Sequence, residues 1–337
     1  MRVFFILLLA VVTQLESPAQ LIKILDSGNQ ASFRGLSAVS RKIIWVSGSH
    51  GRVGKSTDGG NSFEWFTVKG FEHTDFRDIE AFSAKTAIIM GIAEPAFILR
   101  TTDGGKNWGI VYSDSSKGVF LDAMEFWNEQ SGIAIGDPTG GKFYIIRTFD
   151  GGNKWQKIPG DKLPAADSGE ACFASSGTNI RSLNRQEACF VSGGLKSRLY
   201  IRDRIIPLPI LQGSESTGAN SIAVRDSRKL KNGKHLMVVG GDFAKDTLSL
   251  KNACYSCDGG QTWSYPETPP HGYRSCVEYI TSEKLIACGT SGVDISTDGG
   301  KNWRLISSEG FHVCRKTKKD QTVFLAGAKG RIAKLVW

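Results

Sequence analysis

Ser56-Thr57-Asp58-Gly59-Gly60-Asn61-Ser62-Phe63 is the stretch from which the fold can be read. Asp-Gly supports a tight hairpin because glycine accepts the positive φ that such a turn needs. The aspartate carboxylate accepts hydrogen bonds from the turn amides and pre-forms the loop. The aromatic three residues after the second glycine is placed to bury against a neighbouring sheet. Four more segments repeat this pattern of hydroxyl, any residue, Asp-Gly-Gly, two variable residues and an aromatic. They are Thr101-Thr102-Asp103-Gly104-Gly105 with Trp108, Thr148-Phe149-Asp150-Gly151-Gly152 with Trp155, Ser256-Cys257-Asp258-Gly259-Gly260 with Trp263, and Ser296-Thr297-Asp298-Gly299-Gly300 with Trp303. Asp58, Asp103, Asp150, Asp258 and Asp298 therefore read as structural staples, with no catalytic role expected of them.

Successive aspartates of the pattern are 45, 47, 108 and 40 residues apart. The long gap spans two repeats, so one unit has lost its Asp-Gly-Gly turn; residues 199–206, with Arg202-Asp203-Arg204, stand in its place. A period of roughly 40–50 residues with several short strands per unit is the mark of a β-propeller. A second repeated element counts the blades: an inner strand upstream of each hairpin. The segments are Phe33-Arg34-Gly35-Leu36, Phe76-Arg77-Asp78-Ile79, Leu121-Asp122-Ala123-Met124, Glu170-Ala171-Cys172-Phe173, Ala219-Asn220-Ser221-Ile222, Tyr273-Arg274-Ser275-Cys276 and Phe311-His312-Val313-Cys314. These make seven. The last unit reaches Trp337 with only about three strands, and residues 21–25 can supply the fourth, closing the ring and removing its exposed edges. The expected architecture is all-β: one seven-bladed propeller over residues 20–337, closed by an N-terminal strand.

In such a ring the start of each inner strand and the turn after the second strand open on one face. The inner strands bring Arg34, Arg77, Asp122, Asn220, Arg274 and His312 to equivalent positions there; the fourth unit offers Ala171, or Glu170 if its register slips by one. The second-strand turns add the acids Glu94, Asp137 and Asp242. Arg34, Arg77, Glu94, Asp122, Asp137, Asn220, Asp242, Tyr273 and Arg274 are thus the candidate binding residues of a funnel rim. Three arginines can clamp a carboxylate or another anion through paired hydrogen bonds. Alternatively, an arginine–carboxylate ring neutralises itself and ties adjacent blades together.

The hairpins, known as Asp-boxes or BNR repeats, together with the blade spacing and the strings Ser32-Phe33-Arg34-Gly35-Leu36 and Gly272-Tyr273-Arg274-Ser275, resemble the photosystem II stability/assembly factor-like propellers. The resemblance covers nearly the whole chain after residue 19 and extends to bacterial, exported members. It implies a non-enzymatic assembly or stability factor that holds a protein or peptide client, or an anionic ligand, on an arginine-rich face. Arg34, Arg77 and Arg274 are the counterparts of that face. Asp-box propellers are also similar to sialidase-like glycoside hydrolases, which clamp a substrate carboxylate with three arginines and use a tyrosine nucleophile paired with a glutamate. Arg34, Arg77, Arg274 and Tyr273 would fill those roles. The Arg-Ile-Pro signature of that class is missing, since Arg34 is followed by Gly35-Leu36. Redox chemistry has no support: no GxGxxG opens a helix after a strand and no CxxCH occurs.

Composition narrows the setting. Arg2, the apolar run 3–12 and Ser17-Pro18-Ala19 read as a signal peptide over residues 1–19. The apolar run is shorter than the roughly 20 residues that span a bilayer. The expectation is a periplasmic or secreted chain without stable membrane insertion. The net charge of +9 favours acidic partners without naming one. The basic clusters Lys229/Lys231/Lys234 and Arg315/Lys316/Lys318/Lys319 lack interleaved aromatics, so they read as solvated loop charges rather than a nucleic-acid surface. Seven cysteines leave at least one thiol without an internal partner. Cys254-x-x-Cys257 has no second half and falls in a strand leading to a hairpin, so neither a metal nor a cofactor is expected.

Overall fold

The inner strands are buried along nearly their whole length, as β-ribbons packed on both faces are, and in the computed structural model they line a ring of seven sheets. The structure describes residues 21–184, 186–225 and 233–336. The expected signal peptide, together with Lys229 and Lys231, lies outside the described residues. The chain is an all-β, seven-bladed propeller. Its one helical element is a single 3-10 turn at Gly160–Lys162 among the described residues. No helix among these residues is long and apolar enough to cross a membrane.

Each blade is an antiparallel sheet that runs outward from the axis. Blade 1 comprises Phe33–Ala38, Ile44–Gly48, Arg52–Ser56 and Glu64–Thr67; blade 2 begins at Phe76–Ala81, blade 3 at Leu121–Phe126, blade 5 at Thr217–Val224 and blade 6 at Cys276–Tyr279. Blade 7 comprises Val313–Lys316, Val323–Ala326 and Ile332–Val336, and Leu21–Asp26 joins it as the outermost strand, with Leu21 opposite Val336. The ring is therefore closed by the N-terminal strand, as the repeat count requires.

The blades adhere through interlocking side chains. Each Asp-Gly-Gly hairpin follows the third strand of its blade and presses on the preceding blade. At Gly152 (φ 76°) an added Cβ would lie 2.2 Å from Ile88 Cδ1 of blade 2, and at Gly60 it would lie 2.5 Å from Leu25 Cδ1 of blade 7. The second glycine of the pattern thus meets two demands: a positive φ and the absence of a side chain where blades touch. The aromatic completes the joint, as Trp303 of blade 6 packs with Met237 of blade 5, and Trp155 of blade 3 with Ile88 and Met90 of blade 2. Within the turn, Thr101 Oγ1 donates to Asp103 Oδ1 (2.9 Å) and accepts from the Gly105 amide (3.1 Å). The Asn107 amide also donates to Asp103 Oδ1 (3.0 Å). These bonds hold the Asp103 and Asp58 carboxyls down at about 2.

One blade departs from the sequence reading. The inner strand of blade 4 is Ile180–Ser182, followed by Ala188–Val191, Arg198–Ile201 and Arg204–Pro207, with Arg202-Asp203 as the turn where the Asp-Gly-Gly pattern is missing. Glu170–Ala171, expected as that inner strand, instead pairs with Gly193–Gly194, which joins the sheet of blade 5. Cys172-Phe173 continues as irregular backbone. The reason lies in residues 172–179, Cys-Phe-Ala-Ser-Ser-Gly-Thr-Asn, whose small polar side chains suit a different task described below. Cys254 is buried and Cys257 is exposed in its hairpin, and all seven cysteines are free thiols.

Candidate functional site

A β-bulge sets the aim of the rim residues. In blades 1, 2, 3 and 5 the pairing of the first two strands slips by one residue, at Arg34, Arg77, Asp122 and Asn220 respectively. A bulge leaves its extra residue unpaired and re-aims the side chain. The recurrence of these four at equivalent positions is therefore a recurrence of one backbone device.

Residues 172–179 cross the axis just below this rim and reach every blade. The Cys172 amide donates to Asp137 Oδ1 of blade 3 (2.8 Å), and the Val191 amide of blade 4 donates to the Asn179 carbonyl (2.9 Å). Ser175 Oγ bonds to Asn220 of blade 5 (3.0 Å), and Ser176 Oγ donates to the Ser275 carbonyl beside blade 6 (2.7 Å). Arg34 of blade 1 and Arg315 of blade 7 donate to the carbonyls of Ser175 (3.5 Å) and Gly177 (3.1 Å). Gly177 sits against the Asp78 carboxyl of blade 2, where any Cβ would collide at 2.3 Å. This strap separates the two ends of the ring.

On the rim side, Arg77 pairs with Asp75 (2.8 Å). Arg34 is partly buried, makes only the long bond to Ser175 and has no carboxylate within ion-pair distance among the described residues. Burial and the neighbouring Arg77 charge lower its pKa. His312 is buried; its Nε2 meets Ser32 Oγ (3.1 Å), and burial with Arg34, Arg77 and Arg331 nearby brings it down to about 3, so it is neutral at ordinary pH. Asp122 is fully buried and neither oxygen makes a well-formed hydrogen bond. Burial and the Asp137 carboxylate push its pKa well up, against smaller opposing effects of Arg77 and nearby amides. Burial raises Asp137 to about 6. With His312 neutral and no carboxylate within ion-pair distance among the described residues, the Arg34 guanidinium has no paired acid.

Beside this charge lies an apolar ledge. Phe243 stands 48% exposed, with its ring 5.9 Å from Phe173 and 6.3 Å from Tyr273. Leu248 and Leu250, on the same loop as Phe243, are also exposed. The sequence analysis missed Asp75, Ser175 and the Phe173–Phe243 ledge. Phe243 follows Asp242 directly in a second-strand turn, which was the available signal.

Several predicted rim residues lie elsewhere or act otherwise. Arg274, expected as the third arginine of the clamp, is fully buried and binds Asp294 through Nε (2.6 Å) and Nη2 (2.5 Å); it also donates to the carbonyls of Tyr273 and His271 and to Ser291. It precedes its strand rather than forming a bulge, and Asp294 supplies its charge partner inside blade 6. Tyr273 is buried, donates to Asn220 Oδ1 (2.8 Å) and is pushed by burial to about 12. The arrangement expected of a sialidase-like site, three convergent arginines and a tyrosine on a glutamate, is not brought together. Glu94 is exposed and accepts from the Gly118 amide, while Asp242 is buried and accepts from Ala244. Neither opposes an arginine.

At the other end of the ring a cavity of about 1360 Å³ is lined from all seven blades. Several of its charges are paired. Arg181 lies 3.3 Å from Glu278 and 3.8 Å from Glu125, and Lys318 binds Glu80. Arg315, read from sequence as a solvated loop charge, is on the inner strand of blade 7 and turns to the axis because Gly177, Asp78 and Glu278 attract it.

No protein-family model matches this chain, and no curated protein sequence matches it significantly. Similar solved structures include that described as "YCF48 bound to D1 peptide", with TM-score 0.65, 17% identity, and 96% of this chain and 98% of that one covered. YCF48 from Cyanidioschyzon merolae superposes with TM-score 0.62 at 16% identity, covering 94% of this chain and 98% of the other. The WD40 propeller domain of Doa1 does so with TM-score 0.62 at 10% identity, covering 94% and 97%. These likenesses establish the propeller fold.

Proposed function

We propose that this chain is an exported, non-catalytic binding module, an assembly or stability factor that holds a protein or peptide client on the rim formed by Arg34 and Arg77. The observation that carries this reading is Arg34: a partly buried guanidinium, on a re-aimed bulge, with no carboxylate of its own. A desolvated, unpaired cation is costly unless a ligand completes it. An acidic group of the client supplies that completion through a charge-assisted bond. The exposed Phe243 takes an apolar side chain. Likeness to a propeller solved with a peptide bound supports the client class without specifying the client. Export through residues 1–19 belongs to the same proposal.

The experiment is capture from the native envelope fraction with wild type, Arg34→Ala, and Phe243→Ser as baits. A defined client retained by wild type and lost by both variants is the expected result. Equal capture by all three, or arginine-dependent release of a fluorogenic sialoside instead, overturns the reading.

A further inference from the structure

Blade 6 and blade 7 meet over three sulfurs. Cys276 and Cys288 are directly opposite each other on the first two strands of blade 6, and Cys314 sits on the inner strand of blade 7. All three are fully buried, and their Sγ atoms all lie within 4.8 Å of one another, those of Cys276 and Cys314 at 3.6 Å. No other Cys, His, Asp or Glu side chain among the described residues joins them. Their surroundings are apolar: Ile286, Val293, Phe311, Val313 and Phe324 belong to the same packed cluster.

We infer that Cys276, Cys288 and Cys314 form a trigonal thiolate site for a soft monovalent metal ion, Cu(I) in chemical class. Thiolate–metal bonds are about 2.3 Å long for ions of this size, which places three sulfurs about 4 Å apart around a trigonal ion. The Cys276–Cys314 spacing of 3.6 Å and the 4.8 Å upper limit on all three are compatible with that value. Donor number and dryness select the ion. Structural zinc takes four protein ligands and catalytic zinc keeps a water in its open position, whereas this site has three ligands and an apolar shell. Soft sulfur donors without a fourth ligand suit Cu(I).

The local electrostatics accept the charge that results. Binding replaces three S–H bonds by three S–Cu bonds, releases three protons, and leaves the site at −2. The Cys314 amide points at Cys276 Sγ (3.4 Å), a donor to a thiolate. Arg315 and Arg181 act favourably on charge at Cys276, and Arg274 does so at Cys288. A metal cation offsets the mutual repulsion of three adjacent thiolates, which links its binding to folding.

The full chain, refolded under reductant with Cu(I) supplied as its acetonitrile complex, tests this against a competing chelator, bicinchoninate. Wild type is expected to retain one copper per chain, to show a near-ultraviolet sulfur-to-copper band, and to give three Cu–S distances near 2.3 Å by X-ray absorption. Cys288→Ala, checked by circular dichroism for its β signature, is expected to lose at least 100-fold in affinity and the metal-dependent rise in melting temperature. Cys254→Ala, outside the cluster, retains both. Failure of wild type to compete with the chelator, equal retention by folded Cys288→Ala, or a disulfide joining two of the three in protein isolated without reductant overturns the proposal.

Discussion

The two ends of the ring put their charges to different uses. At the wide cavity, three of the wall cations face acids: Arg181 faces Glu278 and Glu125, Lys318 faces Glu80, and Arg315 faces Asp78 and Glu278. At the rim, Arg77 has Asp75, whereas Arg34 has no carboxylate within ion-pair distance among the described residues, and His312 beside it is held neutral. A paired charge ties blades together; an unpaired one marks where a ligand belongs. What separates a binding surface from a structural ring here is the state of each charge, not the residue types present.

The sharpest way to break that distinction is to remove one arginine of each kind. Arg274→Ala leaves Asp294 buried without its main partner, and truncating one member of a buried pair costs about 3–5 kcal/mol. Chemical denaturation is expected to show that loss. Arg34→Glu is expected to change stability by less than about 1 kcal/mol, as for partly exposed surface changes. It should weaken client binding about 10- to 100-fold, the worth of a charge-assisted bond. Titration calorimetry with the captured client checks this. Arg181→Met serves as the counterpart at the far end and should leave client affinity unchanged. A loss of affinity there as large as for Arg34→Glu would collapse the contrast between the two ends.

Arg34 and Arg274 also show how far a sequence can be read. Both fall at the same offset from a repeated inner strand, so the repeat predicts that they share a face. The number of blades, the closing strand and the box-less turn at Arg202-Asp203 follow from periods of Asp-Gly-Gly and from edge removal, which are local or counting rules. Which arginine stays free depends on whether a carboxylate such as Asp294, twenty residues away, folds over it, and no periodicity encodes that. Glu170-Ala171-Cys172-Phe173 reads as an inner strand, whereas residues 172–179 cross the axis, for a related reason. Their placement on the axis is decided by partners on all seven blades, from Arg34 to Arg315. The thiol cluster was hidden likewise, because Cys276, Cys288 and Cys314 lack any motif spacing and meet only through sheet register and blade packing.

A smaller effect sharpens the account of the rim acids. Asp122 is buried with no well-formed hydrogen bond, so its ionised form is disfavoured in the folded state and its pKa is raised. A carboxyl raised in this way supports folding at low pH and withdraws that support as pH climbs past its unfolded value near 3.8. Asp137, raised to about 6, adds the same trend between about pH 4 and 6. Asp122→Asn is therefore expected to match wild type near pH 4 and to be the more stable of the two at pH 8, because the amide has no ionised form that favours the unfolded chain. Denaturant titrations at the two pH values decide it. A variant less stable at pH 8 would mean that Asp122 is ionised and held by Arg77, which would return the rim to a self-neutralised ring.

The smallest effect concerns the hairpins that build both ends alike. The Asp58 and Asp103 carboxylates accept hydrogen bonds from their own turns and are held at about 2, below the 3.8 of an unconstrained aspartate. Their contribution is present above about pH 4 and is lost as pH falls toward 2. Asp103→Asn is thus expected to melt slightly below wild type at pH 6 and at the same temperature at pH 2, because the protonated acid and the amide then present similar acceptors to the Asn107 amide. Both carboxylates are exposed to solvent, which keeps the difference at pH 6 small. An equal deficit at both pH values would assign the turn to shape alone, to Gly104 and Gly105 and their close fit against the preceding blade, and would remove charge from the hairpin's stability altogether.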